Sequence, residues 1–169
     1  DLRWRLDALG TATGVYDADP VEEALLERGV VLAGLEGVKR LYARVPSNSR
    51  AMMALRQVGF SPFAQETVLV SNSPVLHQTS ARVRPQEPSD TWAIHQLYSA
   101  AVPRQVQYGE AFTSHHWDLG KARTGESSDV RGWVVDEGNA IVGHALTTSR
   151  GGDHVVELIY VPDRPDVLE

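Results

Sequence analysis

The chain reads as an α/β protein in which a mixed central sheet is flanked by helices. Three observations carry that reading. Apolar residues switch along the chain between a period of two and a period of 3.6. Glycine and proline punctuate the switches at intervals suited to short strands and helices. With 42% hydrophobic residues in 169, there is enough apolar material for a packed core.

Trp4-Arg5-Leu6-Asp7-Ala8-Leu9 alternates apolar and polar residues and stops at Gly10, as a half-buried strand does. From Val21 to Leu35 the residues Ala24, Leu25, Val31, Leu32 and Leu35 recur at helical spacing, with Asp19 as a cap, Pro20 in the first turn and Gly37 past the end. The segment 38–45 predicts a strand with Leu41, Ala43 and Val45 on one face, ended by Pro46. A second helix is expected from Ser49 to Val58, burying Met52, Leu55 and Val58 and stopped by Gly59. A strand is expected over 60–70, on the alternation Thr67-Val68-Leu69-Val70.

Residues 73–80 form the expected linker, because they lack any sustained apolar period. The chain therefore divides into 1–72 and 81–169. Ala81 to Pro85 reads as a short strand, and Ser89-Asp90 caps a helix with Trp92, Ile94, Leu97, Tyr98 and Ala101 on one face. A less regular helical stretch covers 106–119, and 120–129 is a polar loop. Two strands flank Gly138-Asn139, and Gly151-Gly152-Asp153 turns into a last strand, 154–161, stopped by Pro162.

Composition narrows the function classes. A net charge of −6 with interspersed signs offers no basic stripe for phosphates, so nucleic acid is not an expected partner. No apolar run approaches the roughly 20 residues that span a bilayer. The absence of cysteine excludes disulfides and thiolate metal sites and fits a cytoplasmic protein. His115-His116 has no third ligand at metal spacing, so no metal is expected. No nucleophile elbow, P-loop or dinucleotide fingerprint is present.

Val38 to Phe60, with its strand, its Asn-initiated helix and its Gly59-Phe60 stop, resembles the late segment of the GNAT superfamily of acyl-CoA N-acyltransferases. Arg82 to Val161 is similar to the early half of the same fold, most clearly in the hairpin Gly132 to Ala145. The resemblance implies a GNAT-like fold with its halves in reversed order: the C-terminal half of one domain, a linker, then the N-terminal half of a second, as at the junction of a tandem protein. It implies acetyl-CoA as cofactor and a small-molecule or peptide amine as acceptor. Ala43, Val45 and Asn48 fall where the family flanks the pantetheine arm, and an Asn at a helix start can also serve as a cap alone. Glu157, on the strand resembling the central one, is the expected general base. Its apolar neighbours Val156 and Leu158 would raise its pKa, whereas the plain alternative is an outward carboxylate paired with a cation. His144 is the expected proton relay near neutral pH, or else a half-buried sheet residue. Tyr108, Glu110 and Trp117 fall on the acceptor side.

Three departures stand against the family pattern. Leu9-Gly10-Thr11-Ala12-Thr13-Gly14, followed by Asp17 and Asp19, replaces the Gly-rich pyrophosphate loop, and acidic residues there would repel a diphosphate. Leu55 stands where family enzymes carry a proton-donating Tyr. The order of the halves requires either that strand 154–161 lies beside strand 38–45 or that a second copy completes the sheet in a domain-swapped homodimer. The reading is thus an N-acetyltransferase or, alternatively, a non-catalytic GNAT-like binding or dimerisation module.

Overall fold

The computed structural model describes residues 2–10, 18–71, 82–121 and 129–164. The expected linker 73–80, Thr11 to Asp17 of the expected cofactor loop and most of the polar loop 120–129 lie outside these residues. The chain forms two compact units, Asp1–Thr67 and Val68–Glu169. Together they give a mixed α/β protein, and among the described residues no helix is long and apolar enough to cross a membrane.

The first unit is a β-α-β arrangement with one further helix. Strand β1 (Arg3–Leu6) runs parallel to β2 (Arg40–Ala43), with Trp4 opposite Leu41 and Leu6 opposite Ala43. Helix α1 (Ala18–Leu35) makes the crossover that parallel strands require. Helix α2 (Ala51–Gln57) follows β2. Both helices end in the same way. Beyond α1, Val38 N–H donates to Ala33 O and Gly37 N–H to Gly34 O; beyond α2, Phe60 N–H donates to Leu55 O and Gly59 N–H to Arg56 O. Gly37 and Gly59 supply the left-handed residue of these Schellman turns, as the sequence predicts. The core joins Leu26, Ala54 and Leu55, with Leu6, Leu9, Ala43, Val45, Val58 and Phe60 packed around it.

Helix α1 forms where expected, but not with the expected face inward. Glu22, Leu26 and Ala33 are buried, whereas Val21, Leu25, Val31, Leu32 and Leu35 are exposed. A two-stranded sheet with one short helix beside it covers only one side of α1, and the more apolar side is the one left over. Buried Glu22 is compensated by Arg50 at the start of α2, at 2.8 Å. The strand expected over 60–70 does not form, since no strand edge pairs with that segment, and Val68, Leu69 and Val70 are exposed.

The second unit is an antiparallel sheet in the order β3-β4-β5-β6 with helices on one face. Its strands are β3 (Val83–Pro85), β4 (Asp129–Asp136), β5 (Ile141–Arg150) and β6 (Asp153–Tyr160), and its helices are α3 (Thr91–Ala101) and α4 (Arg104–Glu110), followed by short 3₁₀ turns at Ser114–Trp117 and Leu119–Lys121. A 3₁₀ turn, Pro88–Asp90, leads into α3, and Asp90 accepts the Glu87 N–H at 2.7 Å. Ile94, Leu97 and Tyr98 of α3 pack with Trp117, Val134 and Ile141 to form the core. Trp92, expected on the same face, is instead largely exposed.

Strand β6 pairs with β5 alone among the described residues. Strand β2 pairs with β1.

Candidate functional site

Register decides which side chains share a face, because opposed residues of antiparallel strands point the same way and alternate along the strand. Val134, His144 and Ile159 form one cross-strand row, and Gly132, Leu146 and Glu157 form the next row on the same face. Val134 and Ile159 pack into the core beneath α3, so this is the helix-covered face. Glu157 and His144, predicted separately, are thus diagonal neighbours on adjacent strands, a spacing of roughly 7–8 Å between Cα atoms.

The two differ sharply in surroundings. His144 is 4% exposed and Glu157 is exposed at the sheet edge. The apolar neighbours expected to enclose Glu157 do not do so. Val156 and Leu158 alternate onto the opposite face and are themselves more than half exposed.

His144 lies in a buried polar layer. Its Nε2 is 3.0 Å from Gln86 Oε1, and Gln86 Nε2 donates to Trp117 O at 2.6 Å. The Trp117 ring meets His144 edge to face at 5.7 Å, and its Nε1 donates to His95 Nδ1 at 3.3 Å. Burial pushes the His144 pKa down to about 4, against a smaller opposing pull from Asp90. Burial thus keeps the imidazole neutral throughout the physiological range.

Beside this layer stands a charged one. Arg84 on β3 holds Asp90 through two bonds, of 2.8 and 2.9 Å, and reaches Asp136 at 2.8 Å. The Arg84 guanidinium keeps the Asp90 carboxyl below its ordinary pKa, and the Gly138 N–H followed by Arg84 does the same for Asp136. Neither Gln86 nor Arg84 carries a sequence motif. The one local signal was Gly132, a glycine entering the apolar run Trp133-Val134-Val135, which marks a close approach.

That approach is made by Gln86, whose backbone N–H also bonds Gly132 O. A Cβ on residue 132 would lie 2.1 Å from Gln86 Oε1 and 2.9 Å from Gln86 Cβ. Gly132→Ala is therefore expected to expel the Gln86 side chain from both hydrogen bonds and to cost roughly 2–3 kcal/mol in urea unfolding. A change below about 0.5 kcal/mol would show that Gln86 moves aside without loss.

The remaining predicted residues are dispersed. Trp117 is 7% exposed and belongs to the core, so it presents little surface. Tyr108 on α4 is 84% exposed. Glu110 accepts the Tyr98 hydroxyl at 2.7 Å, which ties the end of α4 to α3. In the first unit, Ala43 and Val45 turn towards the core around Leu26 and Leu55. Asn48 lies exposed in the turn closed by the Ser49 N–H to Pro46 O bond. The side-chain bond at the start of α2 comes from Ser49 Oγ, which accepts the Ala51 N–H at 3.2 Å, so Asn48 is not the cap it was expected to be. Leu55 is 4% exposed in the core. Among the described residues no three His, Asp or Glu side chains gather into a metal site. No protein-family model, curated protein or solved structure matches this chain.

Proposed function

We propose that the chain is built from two half-domains of GNAT type in reversed order and that it belongs to an acetyl-CoA-dependent N-acetyltransferase acting on an amine. The connectivity carries the reading. One unit runs β-α-α-β-β-β through a four-stranded antiparallel sheet, and the other runs β-α-β through a parallel pair with a second helix behind it. The first is the element order that the resemblance implies for the early half, and the second contains the strand and following helix that it implies over 38–60. Acetyl-CoA would supply the acetyl thioester. Glu157 takes the ammonium proton of the acceptor, the amine nitrogen bonds to the acetyl carbon as the C–S bond breaks, and the second N–H proton neutralises the departing thiolate. Exposure suits Glu157 to this task, because an incoming amine can reach it.

The first test is calorimetric titration of the chain with acetyl-CoA, with a parallel thermal melt. Binding is expected to stabilise the fold by about 2.7 kcal/mol at a hundredfold excess over Kd. Glu157→Gln should preserve that binding while lowering acetyl transfer by roughly 10²–10⁴-fold.

A second reading, a non-catalytic GNAT-like module, has its own support. Leu55 is a core residue with no proton to give, and Asn48 sits in an exposed turn. On this reading the edge of β6 pairs with a second copy. Light scattering then reports a dimer, and acetyl-CoA produces neither heat nor a melting shift.

A further inference from the structure

The amide of Gln86 can be oriented in only one way. A backbone carbonyl accepts and never donates, so the Gln86 atom 2.6 Å from Trp117 O is the amide nitrogen. The amide oxygen then faces His144 Nε2 at 3.0 Å, and since that oxygen also only accepts, the proton of the pair resides on Nε2. The site is built around this contact. Gly132 opposite, lacking a Cβ, leaves the space that the Gln86 side chain occupies, and the Trp117 ring closes the edge of the imidazole.

We propose that Gln86 is a positioning residue that fixes His144 as its Nε2–H tautomer and leaves Nδ1 as the hydrogen-bond acceptor on the sheet face shared with Glu157. The catalytic meaning of this arrangement rests on the acetyl-transfer reading. Within it the two residues divide the work: Glu157 gains the proton, and His144 neither gains nor loses one. The charged groups around the imidazole agree with a neutral ring. Asp90 favours the imidazolium, but its carboxylate is already engaged by Arg84, and burial outweighs its pull.

Long-range ¹H–¹⁵N spectra of the histidine rings in the full chain test this directly, with the His144 signals assigned by their loss in His144→Gln. Between pH 5 and 8, His144 is expected to show a protonated Nε2 and a lone-pair Nδ1. Gln86→Met should strip the Nε2–H of its exchange protection. Gln86→Glu places a carboxylate against Nε2 and should raise the His144 pKa by roughly 1–3 units, a response that a packing role alone would not give. An Nδ1–H tautomer in the wild type, or a Gln86→Glu chain whose His144 titrates as in the wild type, overturns the proposal. Should Gln86→Met fail to fold, the wild-type spectrum and Gln86→Glu still decide. These readouts need no acetyl-CoA, so failure of the tautomer assignment and failure of the acetyl-transfer reading are separate results.

Discussion

Lowering the pH from 7 to 4 is expected to remove roughly 3 kcal/mol from the stability of the second unit, and His144 is the cause. Its pKa in the folded chain is about 4, whereas an unfolded histidine titrates at about 6.5. Above pH 6.5 neither state binds the proton and His144 leaves stability unchanged. Between 6.5 and 4 the unfolded chain takes up a proton that the folded chain refuses, so stability falls as the pH falls, by up to about 1.4 kcal/mol per unit. Below 4 both states are protonated and the slope from this residue ends. Urea titrations at half-unit intervals would trace the window. His144→Gln keeps an amide donor for Gln86 Oε1 and carries no charge at any pH, so its profile is expected to be flat from 6.5 to 4. An unchanged slope in that variant would place the acid sensitivity on another group.

The elements of the fold were largely legible in the sequence, and the pairing between them was not. Local chemistry wrote the helix ends: Gly37 and Gly59 close α1 and α2 by the turns that glycine at those positions predicts. Gly151-Gly152 likewise stand between the paired ends of β5 and β6, Arg150 and Asp153. The buried face of α1 is not the one its apolar spacing predicts, for a reason that periodicity cannot reveal. The apolar residues do recur at helical spacing, but burial depends on how much surface the neighbours offer, and β1 with β2 offers little. The strand over 60–70 failed on the same ground, since alternation describes a strand only where an edge exists to pair with it.

The candidate site divides along the same line. Strand position alone points to Glu157 and to His144, and the register puts them on one face in adjacent rows. What the sequence could not supply was depth. Val156 and Leu158 flank Glu157 in the chain, yet a strand turns neighbours to opposite faces, so proximity in sequence is not enclosure. His144 is buried by Trp117 and Gln86, which lie 27 and 58 positions away, and neither contact leaves a trace at short spacing.

Arg84 is where the loss of one side chain should matter most. Arg84→Met is expected to destabilise the second unit by about 3 kcal/mol, the low end for breaking a buried pair because the Arg84 side chain is itself one-third exposed. Methionine keeps the apolar stem and removes the guanidinium, so Asp90, whose side chain is 9% exposed, keeps a carboxylate with its main counter-charge gone. The Glu87 N–H still donates to it, but one backbone bond does not replace two from a cation. The pH dependence identifies the cause. In the wild type the folded pKa of Asp90 is depressed by Arg84, so its stabilisation is complete above the unfolded value of about 3.8 and is lost as the pH falls through the lower folded value. This window lies below that of His144, and the two can be resolved in one titration. In Arg84→Met the Asp90 pKa rises, the lowest acid limb disappears, and Asp90→Asn added to Arg84→Met should recover part of the loss by removing the stranded charge. If the double variant is no more stable than Arg84→Met, the cost lies in packing around the arginine stem rather than in the unpaired carboxylate.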